Sequence, residues 1–195
     1  MTAPESIQEA FGFAGSTAVT GRFGHRRLTF FVDVDGAQAS LRQSESVGPV
    51  LDRRLINALW EVHEGLEIPS GELPRWVVDR LSALPVATTD GVIYRRLRPP
   101  LIVRGVAASG RSLGRLLDDL GPFSAVCPAA AVVAGSGPSP SDPAFLDARL
   151  FGVGVGLRCG HRVRVLSGAE PVDPEIGPYQ WHLAEVLYSE MLKVS

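Results

Sequence analysis

The sequence predicts an α/β (α+β) fold, and three observations predict it. Short apolar runs bounded by turn residues read as strands over 17–34 and 86–97, and stripes of apolar residues at helical spacing occupy 51–66 and 73–84. After Pro99-Pro100, strand-like and helix-like segments alternate to the end of the chain. The expected architecture is an N-terminal helix and hairpin, a central helical pair with a β-hairpin, and a C-terminal mixed α/β sheet closed by a long helix.

In chain order, Ile7, Ala10 and Phe11 give the opening segment 4–13 helical spacing. TAVTGRF and RRLTFFVDV are extended runs separated by Gly24-His25, as in a hairpin. Leu51, Leu55, Leu59, Val62 and Leu66 then recur at intervals of three or four, and Leu73, Val77, Leu81 and Leu84 form a second stripe entered at Pro74 and ended by Pro85. Asp90-Gly91 between VATT and VIYRRL favours a tight two-residue turn. Strands are expected at 101–107, 125–134, 149–157 and 162–167, a helix at 112–120, and a loop at GSGPSPSDP (135–143). The last segment, about 178–193, is apolar around most of its circumference and reads as a buried helix.

With 195 residues, 45% of them hydrophobic, the chain suits one domain, 1–195, with a sub-division into a helical and hairpin part (1–98) and an α/β part (99–195). The net charge of −2 excludes a surface that is basic throughout. Residues 1–14 carry Glu5 and Glu9 with no basic start, and no run reaches the ~18 apolar residues of a membrane span. A cytoplasmic location without a membrane partner is therefore expected. Cys127 and Cys159 show no CxxC spacing and read as buried free thiols. GSGPS at 135–139 lacks the lysine of a phosphate loop, so no cofactor is expected.

The residues point first to a non-catalytic binding or regulatory protein with nucleic acid as the leading partner. Residues 75–115 hold 8 Arg against 2 acidic residues, inside an otherwise acidic chain. The order helix 51–66, helix 73–84 and Asp90-Gly91 hairpin resembles the later part of a winged helix-turn-helix. That resemblance implies a recognition helix carrying Arg75 and Arg80 and a wing carrying Arg95, Arg96 and Arg98. Glu61, Glu64, Glu67 and Glu72 oppose it, because they lie where they would repel DNA.

A second reading is a small serine hydrolase. Gly110-Arg111-Ser112-Leu113-Gly114 matches GxSxG at an expected strand-to-helix junction, where a strained turn would lift the nucleophile Ser112. RVRVLSGAEPVDP resembles the strand and acid loop of α/β-hydrolases, which implies Glu170 or Asp173 as the acid and His182 as the base, although His182 falls inside the last helix. The same serine also reads as a helix cap whose hydroxyl bonds first-turn amides. A third reading is a protein-protein adaptor. No metal cluster is read from the sequence; Asp33 and Asp35, two apart on TFFVDVDG, are the carboxylates placed to share Mg²⁺, but they read first as a strand ending in an Asp-Gly turn. Gly152, Gly154 and Gly156 alternate along FGVGVGL and predict close packing against one strand face.

Overall fold

The computed structural model describes residues 6–23, 25–82, 84, 88–89, 91–172 and 177–193. Its elements make an α/β protein whose chain divides into two compact units, one built from residues 1–33 and 103–174 and the other from 34–102 and 175–195. The hairpin at 17–34 therefore belongs largely with the later α/β segments, not with the helices that follow it in sequence.

The first unit is organised by a sheet of order β1 (Thr17–Phe23), β2 (Arg26–Val34), β6 (Leu101–Gly110), β7 (Ala129–Ala134), β8 (Gly154–Cys159) and β9 (Arg162–Ser167). β6, β7 and β8 run parallel, and antiparallel hairpins β1–β2 and β8–β9 close the two edges. The parallel strands are joined by α5 (Leu113–Ser124) and α6 (Pro143–Leu150), which pack on each other. Helix α5 buries Leu113, Leu116, Leu120 and Phe123, spaced so that all fall on one side of the helix. Adjacent phenylalanines show the two faces of the sheet: Phe30 meets Phe123 of α5 at 5.2 Å, whereas Phe31 stacks on Phe13 at 4.9 Å on the opposite face.

That opposite face is covered by the chain around α1 (Ile7–Ala10), through Phe11 and Phe13. The glycines of β8 are its seat. A Cβ on Gly154 would lie 2.7 Å from both the Ala169 amide nitrogen and the Phe11 ring, and one on Gly156 2.7 Å from Val163. The alternating glycines thus admit an aromatic side chain instead of a helix.

The second unit contains α2 (Gly36–Ser44), α3 (Arg53–Glu61), α4 (Arg75–Leu81) and α7 (Pro178–Leu192), with a small sheet of order β3 (Glu67–Pro69), β5 (Val92–Tyr94), β4 (Thr88–Thr89). Its core joins Ile56, Leu59, Val62, Val77, Leu81, Ile93, Leu97 and Trp181. One buried ion pair sits in this unit. Glu185 of α7 accepts from Arg42 Nη1 at 3.1 Å and Nη2 at 2.5 Å, from the Val50 amide at 2.9 Å and from Trp181 Nε1 at 2.9 Å. The Arg42 guanidinium also reaches the carbonyls of Gly48 and Arg98, both at 3.2 Å, so α2 and α7 are tied through a desolvated charge pair.

Four expectations are corrected. Helix α2 replaces the expected Asp-Gly turn: Asp35 is its N-cap, accepting from the Ala37 and Gln38 amides at 3.0 Å, and its buried residues are Gln38 and Arg42, which an apolar stripe search passes over. The stripe at 51–66 ends as a helix at Glu61, where Val62 turns extended; Leu66 lies beyond the helix and is exposed. Residues 143–150 are helical, not loop and strand, because Asp142 caps the Ala144 amide at 2.9 Å and Pro143 starts the first turn. Cys159 is exposed at the β8–β9 turn, while Cys127 is buried as expected. The expected turn residue Asp90 and the helix stop Pro85 lie outside the described residues. Among the described residues, no helix is long and apolar enough to cross a membrane.

Candidate nucleic-acid interface

The five arginines expected to hold nucleic acid all lie in the second unit, and most are engaged there. Arg80 Nη1 lies 2.8 Å from Asp52, Arg96 Nη1 2.9 Å from Glu45, and Arg98 Nη1 3.4 Å from Glu64. Arg75 is 95% exposed in its side chain and only 3.9 Å from Asp79, one helical turn away. Arg95 is packed inward. Its guanidinium lies 5.1 Å from the Trp181 ring centre and 5.9 Å from that of Trp60, and Nη1 donates to the Leu59 carbonyl at 3.1 Å. Desolvation holds the pKa of Arg95 below its usual value, against the opposing pull of Glu64, and the nearby Arg98 lowers it further. It serves the core more than the surface.

The topology differs from a helix-turn-helix as well. α3 ends at Glu61 and α4 starts at Arg75, with β3 and a 3₁₀ turn between them, whereas that motif joins its two helices by a turn of roughly three or four residues. The second unit carries nine basic against twelve acidic residues, and the first ten basic against nine acidic. Phosphate-seeking charge is thus better available on the first unit.

There it concentrates on the β1–β2 hairpin. Phe23 is turned toward Phe30, at 4.7 Å, and toward Phe123, at 6.5 Å, and Arg26 pairs with Asp119 of α5 at 3.2 Å. These contacts anchor the hairpin to the α5 face. Alternation along the strands then places Arg22, Arg27, Thr20 and Thr29 on the other face. Arg22 and Arg27 are direct cross-strand partners, both exposed, and Thr20 and Thr29 join their hydroxyls at 2.9 Å beside them. Among the described residues no carboxylate pairs with either arginine. On the same face, across the sheet, Arg158 Nη2 reaches Ser109 Oγ at 3.4 Å. In sequence this hairpin is inconspicuous, because residues 1–74 together hold 6 Arg and 10 acidic residues, a balance that hides three arginines and a histidine within 22–27.

The serine-hydrolase residues are distributed differently. Ser112 does lie between a strand, β6, and a helix, α5, and it is exposed. Its backbone is extended, with φ −114° and ψ 116°, so the strained nucleophile turn is not formed, and its hydroxyl makes no capping bond either. Glu170, also in the first unit, is exposed and is joined to Gly152 by its backbone amide at 2.9 Å. His182 belongs to the second unit, where its Nε2 lies 3.2 Å from the Leu51 carbonyl. Asp173 lies outside the described residues. The two candidate metal carboxylates are both occupied: Asp33 pairs with Arg104 at 2.6 Å, and Asp35 caps α2.

No protein-family pattern matches the chain, and neither a curated protein nor a solved structure shows significant similarity to it.

Proposed function

We propose that this protein is a non-catalytic binding protein whose partner is nucleic acid, held by its phosphates against the β1–β2 hairpin. The observation that carries the reading is the cross-strand pair Arg22 and Arg27. Like charges directly opposite on a sheet repel. A phosphate seated between them replaces repulsion by two charge-assisted hydrogen bonds, and the neighbouring Thr20–Thr29 hydroxyl pair keeps one free O–H donor of the type used for phosphate contact. Phe23 and Phe30 are turned away from this face, so the hairpin offers phosphate contacts without base stacking, and binding is sequence-independent.

Fluorescence anisotropy with a labelled random duplex, titrated at several salt concentrations, tests this. Arg22→Ala combined with Arg27→Ala removes two phosphate contacts and reduces the slope of log K against log salt by about 2. Arg96→Ala with Arg98→Ala, which breaks pairs to Glu45 and Glu64, leaves that slope unchanged. Absence of binding at low salt, or a slope indifferent to the hairpin substitutions, overturns the proposal.

A further inference from the structure

We infer that α6 is the contact through which two copies of this chain associate about a two-fold axis. The inference stands on the first unit alone and does not depend on nucleic-acid binding. Three large apolar side chains crowd the outer side of this short helix: Leu146 is 51% exposed, Leu150 78% and Phe151 63%. Ala148 and Phe145, on its inner side, are buried. At roughly 100° per residue, Leu146 and Leu150 form the centre line of the exposed face, Asp147 lies on one flank with Phe151 a turn later, and Arg149 lies on the other. Exposed apolar clusters of this kind mark interaction sites.

The charges on the flanks select the occupant. An isologous contact requires a patch that complements itself. If two α6 helices lie side by side and run in the same sense, Leu146 and Leu150 meet their own counterparts, and the Asp147 flank of each copy faces the Arg149 flank of the other. A cleft borders each flank. Beside the Arg149 flank is a cleft of about 470 Å³ lined by Leu146, Arg149, Leu150, Gly168 and Glu170, and on the Asp147 flank Phe151 lines a second cleft of about 360 Å³ with Leu117 and Gly121 of α5. A parallel pairing of α6 thus matches apolar to apolar and acid to base at once.

Sedimentation velocity on the full chain, from micromolar to hundreds of micromolar, reads the outcome. The wild type converts from 20.8 kDa to twice that mass as concentration rises. Leu150→Glu abolishes the larger species, and circular dichroism shows it folded, since this side chain is mostly in solvent. Asp147→Arg and Arg149→Asp, each alone, place like charges together and weaken association by about tenfold or more; the double exchange restores it. A chain monomeric at every concentration, a dimer indifferent to Leu150→Glu, or a double exchange that fails to recover overturns the inference. A dimer that prefers the antiparallel arrangement, with Asp147 facing Asp147, is strengthened by Asp147→Asn and likewise overturns it.

Discussion

Replacing Glu185 by alanine removes a carboxylate that receives four hydrogen bonds in a site closed to solvent. Arg42 is 1% exposed, so the guanidinium left behind is a buried cation whose remaining partners are two backbone carbonyls and the Tyr188 ring, 5.7 Å away. Breaking a buried pair from one side costs about 3–5 kcal/mol, because the surviving charge keeps its desolvation penalty and loses its attraction. The Val50 amide and the Trp181 indole also lose their acceptor, which puts the expected loss toward the upper end of that range. With an m-value of about 2 kcal/mol/M, a loss of about 5 kcal/mol moves the urea midpoint down by about 2.5 M. Trp181 donates directly to Glu185, so tryptophan fluorescence, to which Trp60 and Trp76 also contribute, follows the transition. Arg42→Met combined with Glu185→Leu costs less than the two single changes added together, because no charge is stranded, and a coupling of about 1–3 kcal/mol is expected in the double-mutant cycle. A Glu185→Ala midpoint within experimental error of wild type, with m unchanged, refutes the reasoning, since it requires Arg42 to be solvated.

Two further expectations concern glycines and thiols. Gly154→Ala meets both the Ala169 backbone and Phe11 and destabilises by about 1–3 kcal/mol, whereas Gly114→Ala, in the first turn of α5 with nothing within 4 Å of the added carbon, stabilises by up to about 1 kcal/mol; thermal melts separate the two signs. Burial pushes the Cys127 thiol up from 9.0 to about 12, so the folded state holds the proton that the unfolded chain releases. Stability from this site is complete below the unfolded thiol pKa and is lost as pH climbs through the interval from about 9 to about 12, a decline that Cys127→Ala reduces. In the native protein at pH 8, a disulfide reagent titrates Cys159 alone, and both thiols react in denaturant; rapid native reaction of Cys127 contradicts its burial.

The elements legible in the sequence were those whose buried face is apolar. α5 and the strands β6 and β7 follow their hydrophobic pattern closely, and α7 reads as buried because Trp181, Leu183, Ala184 and Leu187 spread around it. α2 was illegible for the opposite reason: what it buries is Gln38 and Arg42, and Arg42 is matched only by Glu185, 143 residues away. No local window contains that partner. Helix α6 was hidden by composition, since Pro143 and its flanking serines and prolines read as loop until Asp142 is recognised as a cap. The candidate site fared similarly. Arg22 and Arg27 become a pair only through the hairpin register, while the Arg-rich segment 75–98 looks free in sequence because Asp52, Glu45 and Glu64 lie far upstream. Charge density in a sequence measures what is present, and pairing in space determines what remains available.

The passage of the chain back and forth between its two units constrains how the protein can be made. Residues 34–102 leave the ribosome before β6 to β9 exist, so the β1–β2 hairpin waits for most of its sheet. The second unit waits longer still, because Trp181 and Glu185, which fill and neutralise its core, are supplied by α7 after the whole of 103–174 has been synthesised. Neither half can be completed early by local folding, as sequential domains are. Until the last helix emerges, Arg42 has no carboxylate and the apolar faces of α3 and α4 stay open to any chaperone that binds such surfaces.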